Sequence, residues 1–236
     1  MSGIYKTKGI VLKALKYSEN SVIVDIYTQE KGLRTFIVSG LNSKKGGGKA
    51  GCFQHLNILD IVAYDKGSNM ARIKEQRVVY FYQTLPYNVT KSSVGLFALE
   101  LFRNAVKESE ANMALYAYLE GFLHDLDSRK GGLGILPIVF LLNLAQHIGI
   151  VPINNRTAEK PYLDMLEGQF VSEANELSLD ADNSLHISKM LAKEENEPQI
   201  TKRSKTTIMD WLIKYYQNHL HQFQDLKSVE VLREIF

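Results

Sequence analysis

The chain has 236 residues, 45% of them hydrophobic, which suits one large or two modest globular domains and excludes wholesale disorder. Its single cysteine, Cys52, excludes an intrachain disulfide framework and a cysteine-built zinc module. The net charge of +2 conceals an asymmetry: residues 1–82 hold 13 Lys and Arg against 6 Asp and Glu, a net +7, and the remainder 15 against 20, a net −5. A polyanion-facing module joined to a different kind of scaffold is the reading this supports.

In chain order, the opening MSGIYKTKG has no apolar h-region, so no signal peptide is expected. The first 82 residues then read as β-structure. GIVLKALKY (9–17), SVIVDIYT (21–28) and LRTFIVSG (33–40) are rich in Val, Ile and Tyr, with Lys31-Gly32 as a turn between the last two. A lysine- and glycine-rich stretch, LNSKKGGGKAG (41–51), precedes NILDIVAY (57–64) and MARIKEQRVVYFY (70–82). Alternation in the last run places Arg72, Lys74 and Gln76 on one side and Ala71, Ile73 and Glu75 on the other. Five such strands suit a small closed barrel.

After Pro86 the period becomes helical. Helices are expected over 90–109, 113–126, 135–148, 184–195 and 201–223. The third is apolar nearly all round and is stopped by Gly149 and Pro152. Its apolar run, GILPIVFLLNLA (134–145), is too short to span a bilayer and is broken by Pro137 and Asn143, so a soluble, cytoplasmic chain is expected. Between 152 and 184 periodicity is lost, with LEGQFVS (166–172) as a short hairpin. The fold class is therefore α+β: a five-stranded barrel over 1–82, then a helical domain over 83–236 with an irregular insertion at about 152–184.

The glycine loop is not a P-loop. Aligning a terminal Gly-Lys on Gly48-Lys49 puts Ser43 where the first glycine belongs and Ala50 where the magnesium-binding hydroxyl should stand. The six histidines show no H-x-x-x-H or H-E-x-x-H spacing, and neither G-x-S-x-G nor a paired-carboxylate pattern stands out. An enzyme is not expected. Basic residues with interleaved aromatics are better matched to a nucleic-acid surface, as on small OB-type barrels that bind single strands. Lys13, Lys16, Arg34, Lys44, Lys45, Lys49, Arg72, Lys74 and Arg77 are the candidate DNA contacts. Tyr17, Tyr27, Phe36 and Tyr64 are possible stacking groups, with core packing as the competing role. A basic barrel serving an acidic peptide or protein, as an interaction adaptor, is the alternative.

The run GIVLKALKYSENSVIVDIYTQEKGLRTFIVSGLNSKKGG resembles the start of the RecO family of bacterial recombination mediators. The similarity lies in Ile10 to Lys13, Tyr17 and Glu19, Thr28, Gly32, Gly40 and the basic loop Ser43 to Lys49, with Leu226 to Ser228 resembling the family's closing helix. The resemblance implies an N-terminal OB fold and a helical domain that bind and anneal single- and double-stranded DNA. It also implies RecR as a partner, contact with the acidic C-terminal tail of single-stranded DNA-binding protein, and indirect service to a RecA-type recombinase at the nucleoid. Many members carry a four-cysteine zinc module after Gly-x-x-Pro; this chain has no cysteine there, so zinc is not expected. The tail ends in an apolar residue and a free carboxylate, which calls for an apolar slot beside a cation. Phe102, Arg103, Val106 and Lys107 are candidates for it by chemistry alone.

Overall fold

The computed structural model describes residues 3–40, 49–65, 70–107, 110–194 and 200–236, with the side chains of Lys49 and Asp65 outside the description. The strands are β1 (Gly3–Ser18), β2 (Ser21–Thr28), β3 (Gly32–Ser39), β4 (Ile58–Asp65) and β5 (Ala71–Val78), with a short helix α1 (Lys49–Cys52) before β4. They close into a barrel in the order β1-β2-β3-β5-β4, every pairing antiparallel except β3 with β5. This is the five-stranded OB barrel expected from the sequence.

Alternation decides what fills it. Val11, Val24, Ile26, Phe36, Val38, Leu59, Ile61, Ala63 and Ala71 point inward, and Phe53 closes the core. Gly9 is also on the inward register, and a Cβ there would lie 2.5 Å from Ile26. Two features were not foreseen. β1 begins at Gly3, six residues before the expected start, because Ile4–Lys8 also pair with β4. β5 has a register shift opposite Val62 and Ala63: Glu75 faces Val62 but Ile73 faces Ala63. The extra residue, Lys74, is a β-bulge, so the alternation beyond it is inverted. Glu75 and Arg77 therefore join Arg72 outside, and Gln76 turns inward with Ile73 and Val78. The expected face of Arg72, Lys74 and Gln76 is corrected on this point.

The chain forms two compact units, residues 1–130 and 131–236. The first continues past residue 82 through α2 (Val89–Ala105) and α3 (Met113–Ser128), capped by Asn88 and Asn112, whose side chains accept from the Lys91 and Leu115 N–H groups. These helices cover the outer barrel residues Ile10, Tyr27 and Ile58, each no more than 1% exposed. Tyr27 meets Phe102 edge-on at 4.7 Å and stacks near Tyr116 at 6.5 Å. The connecting segment 79–85 is tied to α3 through Asp127. Its carboxylate accepts from the N–H groups of Gln83, Thr84 and Leu85 at 3.0, 2.8 and 2.8 Å and from the Tyr80 hydroxyl at 3.1 Å. Burial would raise this carboxyl, but those donors outweigh it and hold the group at about 2.

The second unit contains α4 (Leu136–His147), the two-stranded sheet of β6 (Tyr162–Leu163) and β7 (Phe170–Val171), then α5 (Ala181–Leu191), α6 (Lys202–His219) and α7 (Ser228–Ile235). Gly149, at φ 79°, follows α4 as expected. The hairpin is offset from its expected position: its first strand is Tyr162–Leu163, and 164–169 form the turn. Packing alone does not hold this segment. Asp164 accepts from the Leu166 and Glu167 N–H groups and from Asn175. On α6, the Trp211 indole N–H donates to Leu177 O at 2.9 Å and the Tyr215 hydroxyl to Ile150 O at 2.8 Å, while His219 Nε2 lies 2.8 Å from Met165 O.

Candidate nucleic-acid interface

The barrel's outward residues can be mapped strand by strand. Lys13 faces out opposite Asp25. That carboxylate is already engaged, accepting from Thr35 Oγ1 at 2.8 Å and from Arg103 Nε at 2.9 Å. Lys16 is exposed close to the β1–β2 hairpin tip, and Arg72 is exposed on β5. Among the described residues no ion pair engages Lys13, Lys16 or Arg72. Burial, and then the Lys13 charge, push the His55 imidazole below its ordinary range.

The other candidate contacts separate from these. Arg77 donates to Asp60 Oδ2 at 2.8 Å, and the Lys74 ammonium lies 3.8 Å from Glu75. Arg34 stands opposite Ile26 on the inward register, and its Nε is buried without a hydrogen-bond partner. It belongs to the barrel interior rather than to a positive outer face, because β3 alternates without interruption from Phe36 back to it. Lys44 and Lys45, with the side chain of Lys49, lie outside the described residues. Of the proposed stacking groups, Tyr27 and Phe36 are core, at 1% and 0% exposed, whereas Tyr17 is 65% exposed.

Two cations escaped the sequence reading. Lys6 and Lys8 extend the outward side of β1, and their alternation with Tyr5, Thr7 and Gly9 was the signal that could have found them. With Arg77 they line an open groove of about 550 Å³ that also presents Glu30, Asp60 and Glu75. Its charges balance, and Lys8 lies 3.8 Å from Glu120 on α3.

The candidate tail slot does not form where it was placed. Phe102 and Val106 are buried, at 0% and 6% exposed, Arg103 is bonded to Asp25, and the Lys107 amine reaches the Arg103 carbonyl at 3.4 Å. An apolar recess edged by cations exists elsewhere, in the second unit. It has a volume of about 110 Å³ and is lined by Pro137, Ile138, Met209 and Leu232 together with Lys202 and Lys205.

Comparison with known proteins decides the family. The model described as "Recombination protein O N terminal" matches residues 1–82, and that described as "Recombination protein O C terminal" matches residues 86–229. The chain belongs to the RecO family of DNA repair proteins. It is 35% identical to the DNA repair protein RecO of Phocaeicola vulgatus, over 99% of each chain. Against the RecO proteins of Christiangramia forsetii and Flavobacterium psychrophilum it is 35% and 34% identical, over 98% of each chain. The first family match ends at 82, whereas the first compact unit runs to Lys130, since α2 and α3 pack on the RecO barrel.

A zinc ion in the 152–184 segment of this RecO chain is not supported by its donors. The segment has neither Cys nor His, and its buried carboxylate, Asp164, is taken up by backbone and amide donors. Among the described residues no group of three or more His, Cys, Asp or Glu could hold a metal, and no helix is long and apolar enough to cross a membrane.

Proposed function

We propose that this RecO chain is a non-catalytic mediator of recombinational repair that binds single- and double-stranded DNA and anneals complementary strands. In this reading it acts with RecR and single-stranded DNA-binding protein to help load a RecA-type recombinase in the cytoplasm. The observation that carries it is full-length family membership joined to an OB barrel whose Lys13, Lys16 and Arg72 are exposed or half-buried and outside any ion pair among the described residues. Such cations give affinity through phosphate contacts without base preference. The recess beside Lys202 and Lys205 has the chemistry the acidic tail requires: an apolar floor for its last side chain and ammonium groups for its carboxylate.

The expected behaviour is ATP-independent annealing of complementary oligonucleotides, and single-strand binding whose log–log salt slope is roughly −0.7 per phosphate neutralised. Replacing Lys44, Lys45 and Lys49 with Ala should shallow that slope by about two units. Strict nucleotide dependence of annealing would contradict the reading. The alternative is an adaptor whose basic barrel serves an acidic peptide or protein, which the same outward cations Lys13, Lys16 and Arg72 would also suit. It predicts tight binding of an acidic peptide with little DNA affinity, and a peptide titration with and without competing oligonucleotide separates the two.

A further inference from the structure

One outward row of the barrel is set apart by its register. Leu15 pairs with Ile23, Ile23 with Ile37, Ile37 with Arg72, Arg72 with Tyr64 and Tyr64 with Ile4. The chain neighbours Ala14, Val24, Phe36, Ala71, Ala63 and Tyr5 pack into the core, so all six members of the row face out. Strands in a closed barrel are tilted. The row therefore leaves β1 at Leu15, crosses every strand once and rejoins β1 at Ile4.

Five of the six side chains are aliphatic or aromatic. Ile4 is 61% exposed, Leu15 53% and Tyr64 36%, although the outer residues Ile10, Tyr27 and Ile58 are sealed under α2 and α3. Ile23 and Ile37 are half-buried, so the strip lies open at Leu15, Tyr64 and Ile4; such apolar surface on a small domain calls for a ligand.

Its surroundings indicate which one. Arg72 sits within the row. Lys13 is two positions from Leu15 and Lys6 two from Ile4, both on outward register, and Lys16 follows Leu15 near the hairpin tip. Among the described residues none of these four cations is in an ion pair, and the carboxylate opposite Lys13 is already held by Thr35 and Arg103. An apolar track edged by cations is complementary to an unpaired nucleic-acid strand, which offers base faces and phosphates together. A duplex stacks its bases away and can use only the cations.

We propose that the row Leu15–Ile23–Ile37–Arg72–Tyr64–Ile4 is a base-contacting track that makes the barrel prefer single strands to duplex. This rests on the DNA-binding reading above and adds to it the residues that discriminate. Five inter-strand steps of about 4.8 Å give a track of about 24 Å, which suits the lower end of the roughly 4–16 nucleotides bound by OB folds.

The test is fluorescence anisotropy with a labelled oligothymidylate and a labelled mixed-sequence duplex, each at two salt concentrations. It compares the full chain with the double variant Leu15→Gln, Ile4→Gln, whose side chains are exposed and whose melting temperature checks folding. Expected is an approximately tenfold or greater loss of single-strand affinity, with an unchanged salt slope and unchanged duplex affinity. Arg72→Gln should instead weaken both ligands and shallow both slopes. If the unaltered chain binds both and the double variant loses them equally, or loses neither, the track is overturned while DNA binding stands. If the unaltered chain binds neither, the proposed function falls and takes the track with it.

Discussion

Asp127 shows how one side chain can fix the course of an irregular segment. Residues 79–85 leave the β5 ladder, and three of their N–H groups would be unsatisfied without its carboxylate. The buried Lys91 amine adds to this junction, donating to Thr84 Oγ1 at 2.7 Å and to the Asp127 carbonyl at 2.6 Å. Asp127→Ala leaves those donors stranded and is expected to cost about 3 kcal/mol, read from denaturant unfolding. The pH dependence follows from the same contacts. Because the folded carboxyl is held at about 2, below its ordinary 3.8, the charged form stabilises the fold. That stabilisation, about 2 kcal/mol, is complete above about pH 5 and is lost as pH falls through 3.8 toward 2. Asp127→Asn should flatten the wild-type profile in that window, and an equally steep acid limb in the variant would assign the effect to other carboxylates.

At the scale of elements, strands and helices announced themselves where burial on one face imposed a period. β2 was read to the residue, and α4 and its glycine stop to within a residue, because Val22–Tyr27 are almost all β-branched or aromatic and Leu136–Ala145 are apolar nearly all round. The β5 bulge was not legible. Nothing in ARIKEQRV marks Lys74 as the extra residue; only pairing against β4 shows it, and that one residue moved Glu75 and Gln76 to opposite faces. Arg34 was legible by contrast: it shares the period-2 register of Phe36 and Val38, and its charge outweighed that alternation in the sequence reading. Asp127 and Asp164 were invisible: their partners are backbone groups of segments without periodicity. The helix over 201–223 was read, whereas the bonds that Trp211, Tyr215 and His219 make from α6 to carbonyls were not. Gly168 lies under this helix at φ 61°, where a Cβ would come within 2.6 Å of the Tyr215 hydroxyl. Gly168→Ala is expected to destabilise the chain by about 2 kcal/mol, with a lowered melting temperature as the measurement.

For the molecule as a whole, the charge asymmetry now follows structural units. Residues 1–130 carry 18 Lys and Arg against 12 Asp and Glu, a net +6, and residues 131–236 carry 10 against 14, a net −4. The position of the unit boundary has a direct test. A fragment ending at residue 82 would bare Ile10, Tyr27 and Ile58, while one ending at residue 130 keeps them under α2 and α3. Circular dichroism should show a cooperative melt for the longer fragment and none for the shorter; a sharp transition in the shorter would make the barrel self-sufficient. The 150–179 segment carries a different consequence. It is laced to α6 by indole, phenol and imidazole groups reaching carbonyls, materials that the ribosome supplies in full. Each of those three bonds joins a side chain to a main-chain carbonyl, so this tie can close as the chain folds without waiting for a thiol to be oxidised.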